Sequence, residues 1–402
     1  MEDRLIQYYR LEEILDSIGG LWTGKKEPLI EVNVYTMTNF TKDCRINQEP
    51  PRRVLANEKE FKRRQLQLGD ILIEKSGGGP NQPVGRVILF ENIEKGNNSF
   101  SNFTARLRLK PNIGVDISPN YIYQFFRWMY LKGISEKYQK NSTNIRNLQL
   151  KDYLKNVIPI PNLESQSKIL SKLDQAFEAI DQAIANTEKN IENVEELEKS
   201  WFQEQFREGQ ADWIDSVIGD IGKVSMCKRI LKKQTTTEGD IPFYKIGTFG
   251  KTPDAFITKK LFSEYVEKYS FPKKGDVLIS ASGTIGRRVR FNGKPSYFQD
   301  SNIVWIANDE QHVLNDFLYE FYGYCNWNPT SGATIKRLYN DDLRKIKISY
   351  PKSLSQQSSL VEKMQNFRYQ IESVSSSYRM KLTELKELKM SILEKAFKGE
   401  LV

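Results

Sequence analysis

At 402 residues, with 39% hydrophobic and 28% charged residues, the chain is too long for one ordinary core and too apolar to be disordered, so two or more globular domains are expected. It holds no run approaching the roughly 18 uncharged apolar residues of a membrane span, its opening MEDRLIQYYR is charged where a secretory signal needs an apolar core, and Cys44, Cys227 and Cys325 form no CxxC pair. These features speak against membrane, secreted disulfide-linked and zinc-ribbon classes and make the cytoplasm the expected compartment.

The net charge of +9 is unevenly placed. Residues 1–162 hold 25 Lys and Arg against 18 Asp and Glu, a balance of +7. Residues 163–206 hold 4 against 10, or −6, and residues 207–353 hold 23 against 17, or +6. Two basic blocks flanking an acidic one suit a polyanionic partner, because neutralised phosphates supply much of non-specific DNA affinity.

The first basic block is expected to be a domain over residues 1–162. It carries the cationic run Lys62, Arg63, Arg64, then a β-like run over 70–74 and a loop of small and polar residues, Lys75, Ser76, Gly77, Gly78, Asn81 and Gln82. A second β-like run over 85–91 contains Arg86. An aromatic helix over 120–132, a turn with Thr143, Asn144 and Arg146, and a strand bounded by Pro161 complete the block. The next segment, 163–208, has heptad spacing and no proline: Leu173, Phe177, Ile180, Ile184, Thr187, Ile191 and Val194 alternate steps of four and three, and Leu197 and Trp201 continue after a one-place stammer. Such spacing reads as a coiled-coil seam.

The same order then recurs. A second domain is expected over 209–353, with Lys228 and Arg229 early, a β-like run over 276–280, and a loop with Ser280, Ser282, Thr284, Arg287 and Arg288. A strand over 302–307, a helix over 315–324, a turn with Thr334, Lys336 and Arg337, and a strand bounded by Pro351 follow. The distal segment, 354–402, repeats the heptads through Leu360, Met364, Phe367, Ile371, Val374 and Tyr378, then Leu382, Leu385, Leu388 and Ile392. LGDILIEKSGGGP at 68–80 parallels KGDVLISASGTIG at 274–286, Gln166 matches Gln357, and Ile180, Ile191 and Leu197 match Ile371, Leu382 and Leu388 at a displacement of 191. Each helix, on the order of 65 Å long at about 1.5 Å per residue, is too long to lie inside a small domain. An antiparallel pair closes such a repeat without long linkers. The expected fold class is α+β: two globular mixed α/β domains separated by two long antiparallel coiled-coil helices, with a pseudo-twofold internal repeat.

Small residues let a backbone approach a phosphate, while Arg, Asn, Gln and Ser can read base edges. The two Ser/Gly loops, the turns Thr143-Asn144-Ile145-Arg146 and Thr334-Ile335-Lys336-Arg337 and the cations Arg63, Arg64, Lys228 and Arg229 are therefore the candidate DNA-contacting residues. Leu173, Ile180, Ile184, Ile191, Met364, Ile371, Leu382 and Leu385 are the candidate coiled-coil and partner-facing residues. No catalytic constellation emerges. Neither loop has the GxxxxGK[ST] or GxGxxG spacing, Asn326-Trp-Asn-Pro329 lacks the paired prolines of an adenine methyltransferase tetrad, and Asp254 with Glu264 or Glu267 lacks a Glu-x-Lys partner. The single histidine, His312, sits in polar NDEQHVLNDF. No catalytic residue, metal or cofactor is expected in this chain.

Residues 21–40 (LWTGKKEPLIEVNVYTMTNF), 68–87 (LGDILIEKSGGGPNQPVGRV), the two junctions from proline-bounded strand to glutamine to heptads, and the ends AFKGEL and FREGQ resemble the specificity subunit of type I restriction–modification systems. The second junction is less typical, with Ser355 and Gln356 where Glu164 and Ser165 stand in the first. The resemblance implies two target recognition domains, each reading half of a split site in double-stranded DNA. It also implies helices that bind two methyltransferase subunits and set the gap, with two restriction/translocase subunits as further partners. S-adenosylmethionine, ATP and Mg²⁺ are expected on those partners. Alternatives of other kinds are a specificity subunit of a modification-only or other defence complex, and a structural coiled-coil adaptor that binds DNA without sequence preference. A single-chain restriction or modification enzyme would need the motifs missing above.

Overall fold

The computed structural model describes residues 6–22, 27–79, 82–91, 96–142, 145–207, 209–327, 330–331 and 336–401. Four helices organise it: α1 (Pro119–Leu131), α2 (Leu163–Gln205), α3 (Asn315–Tyr324) and α4 (Leu354–Phe397). The chain forms two compact units, Met1–Thr187 with Met380–Val402, and Glu188–Arg379. Each unit therefore takes a share of both long helices. No helix among the described residues is long and apolar enough to cross a membrane.

In the first unit, Gln7–Arg10 pairs antiparallel with Val157–Ile160. A four-stranded antiparallel sheet runs Leu15–Gly19, Thr104–Leu109, Ile71–Glu74, Val87–Leu89. A three-stranded sheet runs Arg52–Asn57, Leu29–Tyr35, Asn98–Phe100, its last pair parallel. The sequence ILIE is buried at all four positions, as an internal strand covered on both faces requires. Pro119 opens α1, where its missing N–H costs nothing, and Gly133 at φ 74° follows its end in the left-handed conformation that a glycine adopts freely. Tyr121, Ile122, Phe125, Phe126 and Met129 of α1 enter a core joined by Leu173 and Phe177 of α2 and Leu393, Ala396 and Phe397 of α4. The Phe397 ring meets Tyr121, Phe125 and Trp128 at 5.4, 5.2 and 5.9 Å.

The second unit repeats this plan. Trp213–Val217 pairs with Lys347–Pro351. The four-stranded sheet runs Lys223–Ser225, Ile303–Ala307, Val277–Ser280, Arg288–Arg290. The three-stranded sheet runs Phe256–Ile257, Ile241–Tyr244, Tyr297–Phe298, again with a parallel last pair. Phe206 meets Phe317 and Phe321 of α3 at 5.5 Å each, standing to this unit as Phe397, 191 residues later, stands to the other. The matched glutamines show the same correspondence. Gln166 accepts from Ser118 N (2.9 Å) and donates to the Asp116 and Pro161 carbonyls (3.0 and 2.8 Å). Gln357 accepts from Leu314 N (2.9 Å) and donates to the His312 and Pro351 carbonyls (2.7 and 2.8 Å). His312 thus enters through its backbone.

Within each unit the two helices run antiparallel, as expected. In the first, Lys172 Nζ donates to the Leu401 carbonyl (2.6 Å) and Lys389 Nζ to Asp181 Oδ1 (2.5 Å). In the second, the Trp201 and Phe367 rings stack at 4.0 Å and Arg379 lies 3.7 Å from Glu195. Leu173, Ile180, Met364 and Ile371 are buried, and Ile184, Ile191, Leu382 and Leu385 half-buried, so all eight expected seam residues face inward. The expected stammer is absent. The seam keeps unbroken heptads through Glu198, Ser375 and Lys389, leaving Leu197, Val374 and Leu388 exposed. Glu198 and Lys389 are held in place by partners. Tyr324 Oη donates to Glu198 (3.0 Å), and Lys389 bonds Asp181. A leucine or valine one position earlier drew the sequence reading off the true register.

Candidate nucleic-acid interface

In the first unit the loop and the turn singled out by sequence meet in one three-stranded ribbon, Gln139–Ser142, Ile145–Leu148, Ser76–Gly78. Asn147 pairs with Ser76 and Arg146 with Gly78, with an irregularity between them. Ser76 Oγ donates to Asn147 Oδ1 (2.6 Å) and Leu148 N to the Lys75 carbonyl (2.8 Å). Gly77 takes φ 114°, a backbone closed to other residues, and would press a side chain onto Met37. Lys75 is half-buried, its Nζ beside Gly19, and the Gly19 carbonyl accepts from Arg64 Nε (2.9 Å). Arg64 pairs in addition with Glu60, while Arg63 is exposed at the end of the helix Glu58–Arg64. Gln82 is exposed on the loop, and Gly78 is buried beneath it. Arg146 is half-buried, 3.9 Å from Glu136. Asn81, Thr143 and Asn144 lie outside the described residues.

Arg86 departs from expectation. Its side chain is 7% exposed and forks onto Glu74, itself 1% exposed, through Nε and Nη2 at 2.8 and 2.9 Å. Its Nη1 donates to the Phe40 carbonyl at 2.7 Å. Burial works against the cation, but the Glu74 hydrogen bonds and charge outweigh it and raise the Arg86 pKa. Arg86 is thus an internal strut of the sheet rather than a group facing DNA. Glu74 was missed because it pairs with Arg86 across a hairpin, not along the chain.

In the second unit Ser282 bridges to Arg337, and Leu338 N donates to the Ala281 carbonyl (2.9 Å), so loop and turn again meet. Ser280 is buried: its hydroxyl donates to the Thr284 carbonyl (2.5 Å) and accepts from Arg287 N (2.9 Å). Ser282 Oγ donates to Asn302 Oδ1 (2.8 Å). Gly283 and Thr284 are exposed at the loop tip. Arg287 and Arg337 are half-buried; Arg287 Nη1 donates to the Phe249 carbonyl (3.0 Å) and the Arg337 guanidinium lies 5.7 Å from the Tyr339 ring. Arg288, expected beside them, leaves the loop: successive strand residues face opposite ways, and it joins Arg290 on the Tyr319 ring of α3, at 4.6 and 4.2 Å. Lys228 and Arg229 are exposed; Lys228 Nζ sits 5.2 Å over Tyr269, and Arg229 lines a cleft of about 470 Å³ with Lys232, Lys245 and Asp254. Thr334 and the Lys336 side chain lie outside the described residues. Asn147 and Asn302, absent from the sequence candidates, hold the two loop serines.

Burial disfavours the thiolate at all three cysteines. It pushes the Cys44 and Cys227 thiols up to about 12. Among the described residues no group of three His, Cys, Asp or Glu side chains could hold a metal ion. What the geometry offers is presentation: a twice-repeated α+β unit that displays a serine-anchored loop beside a polar or basic strand.

The chain matches the model of the type I restriction modification DNA specificity domain over residues 4–195 and 210–378 and belongs to that family. It is 52% identical over 214 residues to a type I restriction enzyme specificity subunit from Haemophilus influenzae, a match covering 52% of this chain and 55% of the relative's length. It is 24% identical over 331 residues to the type I restriction enzyme StySPI specificity subunit from Salmonella potsdam, covering 75% of this chain and 69% of that one. In fold it is similar to a chain from work on complex assembly and conformational transition of the type I R-M system (TM-score 0.75, 18% identity, 98% of both chains). It is also similar to the HsdS subunit from Thermoanaerobacter tengcongensis (TM-score 0.59, 18% identity, 98% and 97%).

Proposed function

We infer that this chain is the DNA-reading subunit of a type I restriction–modification complex, each globular domain reading one half of a bipartite site. The observation that carries this is the recurrence of one presentation device, with Ser76 beside Asn147 in one unit and Ser282 beside Arg337 in the other. Two readers on one polypeptide suit a split site better than a continuous one. The long helices dock two methyltransferase subunits and set the gap between half-sites. Adenine methylation with S-adenosylmethionine, and ATP- and Mg²⁺-dependent translocation and cleavage by two restriction subunits, belong to the partners, in the cytoplasm.

Sequencing of methylated bases in cells carrying the system tests the reading. The expected result is a split motif with a fixed gap that disappears when this chain is deleted, and whose gap alone changes when one heptad is removed from α2. A continuous motif, or a gap indifferent to the heptad, overturns it.

A further inference from the structure

The loops of the two units match in backbone hydrogen bonding but differ in charge. Glu74 N donates to the Arg86 carbonyl and Ser280 N to the Arg287 carbonyl, both at 2.8 Å, and the two arginines send Nη1 to Phe40 and Phe249 carbonyls. Leu148 N and Leu338 N bond the residues before Ser76 and Ser282. Glu74 therefore corresponds to Ser280, Arg86 to Arg287, and Asn147 to Arg337.

In the first unit the cation of this set is neutralised by a buried carboxylate, and the residue beside the loop serine is a neutral amide. In the second unit a serine replaces the carboxylate, its hydroxyl committed to Thr284 and Arg287 backbone atoms, and an arginine replaces the amide. Among the described residues no carboxylate comes within ion-pair distance of Arg287 or Arg337. The loop tip between them, Gly283 and Thr284, is exposed. A partly desolvated guanidinium with one neutral acceptor gains strongly from an arriving anion, and its fork fits a phosphate in two-point contact.

We propose that the 280–287 loop of the second unit is a phosphate clamp, in which Arg287 and Arg337 each neutralise one backbone phosphate of a DNA duplex, while their counterparts in the first unit, Arg86 paired with Glu74 and the neutral Asn147, neutralise none. This rests on the DNA-reading function above. It makes the two matched loops of one duplicated protein unequal: the second adds two phosphate contacts that the corresponding residues of the first do not make.

The test is a salt titration of full-chain binding to a short mixed-sequence duplex, followed by fluorescence anisotropy. Each neutralised phosphate contributes about 0.9 to the slope of log affinity against log salt. Arg287→Gln with Arg337→Gln should lower that slope by about 1.8, so that between ~50 and ~200 mM salt the variant loses about 12-fold less affinity than the parent. Arg337→Gln alone, which leaves the Phe249 contact in place, should lower it by about 0.9. Asn147→Ala and Gln82→Ala in the first unit should leave the slope unchanged. A parent that binds with a slope indifferent to both arginine variants, or one equally sensitive to the first-unit variants, overturns the clamp. A parent that fails to bind duplex DNA at low salt overturns the DNA-reading function itself.

Discussion

Arg86→Ala is the sharpest test of the division between strut and reader. The substitution leaves the Glu74 carboxyl group 1% exposed and without its two guanidinium bonds, and strips the Phe40 carbonyl of a donor. Removing one partner of a buried ion pair typically costs about 3–5 kcal/mol, because the charge left behind is desolvated and unpaired. For a unit of about 200 residues each kcal/mol shifts the midpoint by about 2–4 °C, so the transition of the first unit should fall by roughly 6–20 °C. Arg287→Ala, at the matching place, removes one hydrogen bond to a carbonyl and no ion pair, a loss of about 0.5–1.5 kcal/mol. Thermal melting of the full chain by circular dichroism, run beside DNA binding, separates the two. Replacing both partners, Glu74→Leu with Arg86→Met, should recover much of the lost stability, since a buried pair and an apolar substitute of similar volume are often comparable. An Arg86→Ala chain that melts within about 1 kcal/mol of the parent while losing DNA affinity would refute the strut and restore Arg86 as a reader.

Three further outcomes follow from the same contacts. Gln166→Ala and Gln357→Ala each leave a backbone N–H and two carbonyls without their partner; by the cost of one buried unsatisfied group, each should destabilise its own unit by at least about 1–3 kcal/mol and by similar amounts, measured by urea unfolding. Leu197→Gln and Leu388→Gln, off the seam, should change stability by no more than about 0.5 kcal/mol, whereas Leu173→Ala and Met364→Ala should cost about 2–5 kcal/mol. Equal effects from both sets would place the seam elsewhere. Burial of Asp181 opposes its ionisation, but Lys389 and Arg45 outweigh that and hold its pKa below the ordinary carboxylate value. A depressed folded-state pKa gives stability that is full above the unfolded value, 3.8, and lost as pH falls through the folded one. Asp181→Asn should therefore destabilise the first unit at neutral pH and flatten its acid limb, with little difference left at the acid end.

Much of this fold was legible in the residues. Proline-free heptads over some forty positions dictate long helices, and Gln166 and Gln357 signalled a duplication that the structure repeats bond for bond. The strands over 71–74 and 277–280 followed from short apolar runs ending at Ser/Gly loops. The seam was misread at Leu197, Val374 and Leu388, because periodicity counts apolar residues and does not foresee that Glu198 and Lys389 find partners on other elements. Arg86 was misread for a related reason: whether a basic residue after a glycine loop faces solvent or the sheet depends on the carboxylate twelve positions earlier, a cross-strand relation. Arg288 shows the limit of reading adjacent arginines together, since pleating sends neighbours to opposite faces.

Under the proposed function the two units read separate halves of a split site. Recovery of bound sequences from a randomised duplex pool, with the full chain and with Gln82→Ala and Thr284→Ala variants, addresses it directly. The parent should select two short blocks at a fixed separation, Gln82→Ala relaxing one block and Thr284→Ala only the other. One continuous block, or variants that degrade both blocks alike, would contradict it.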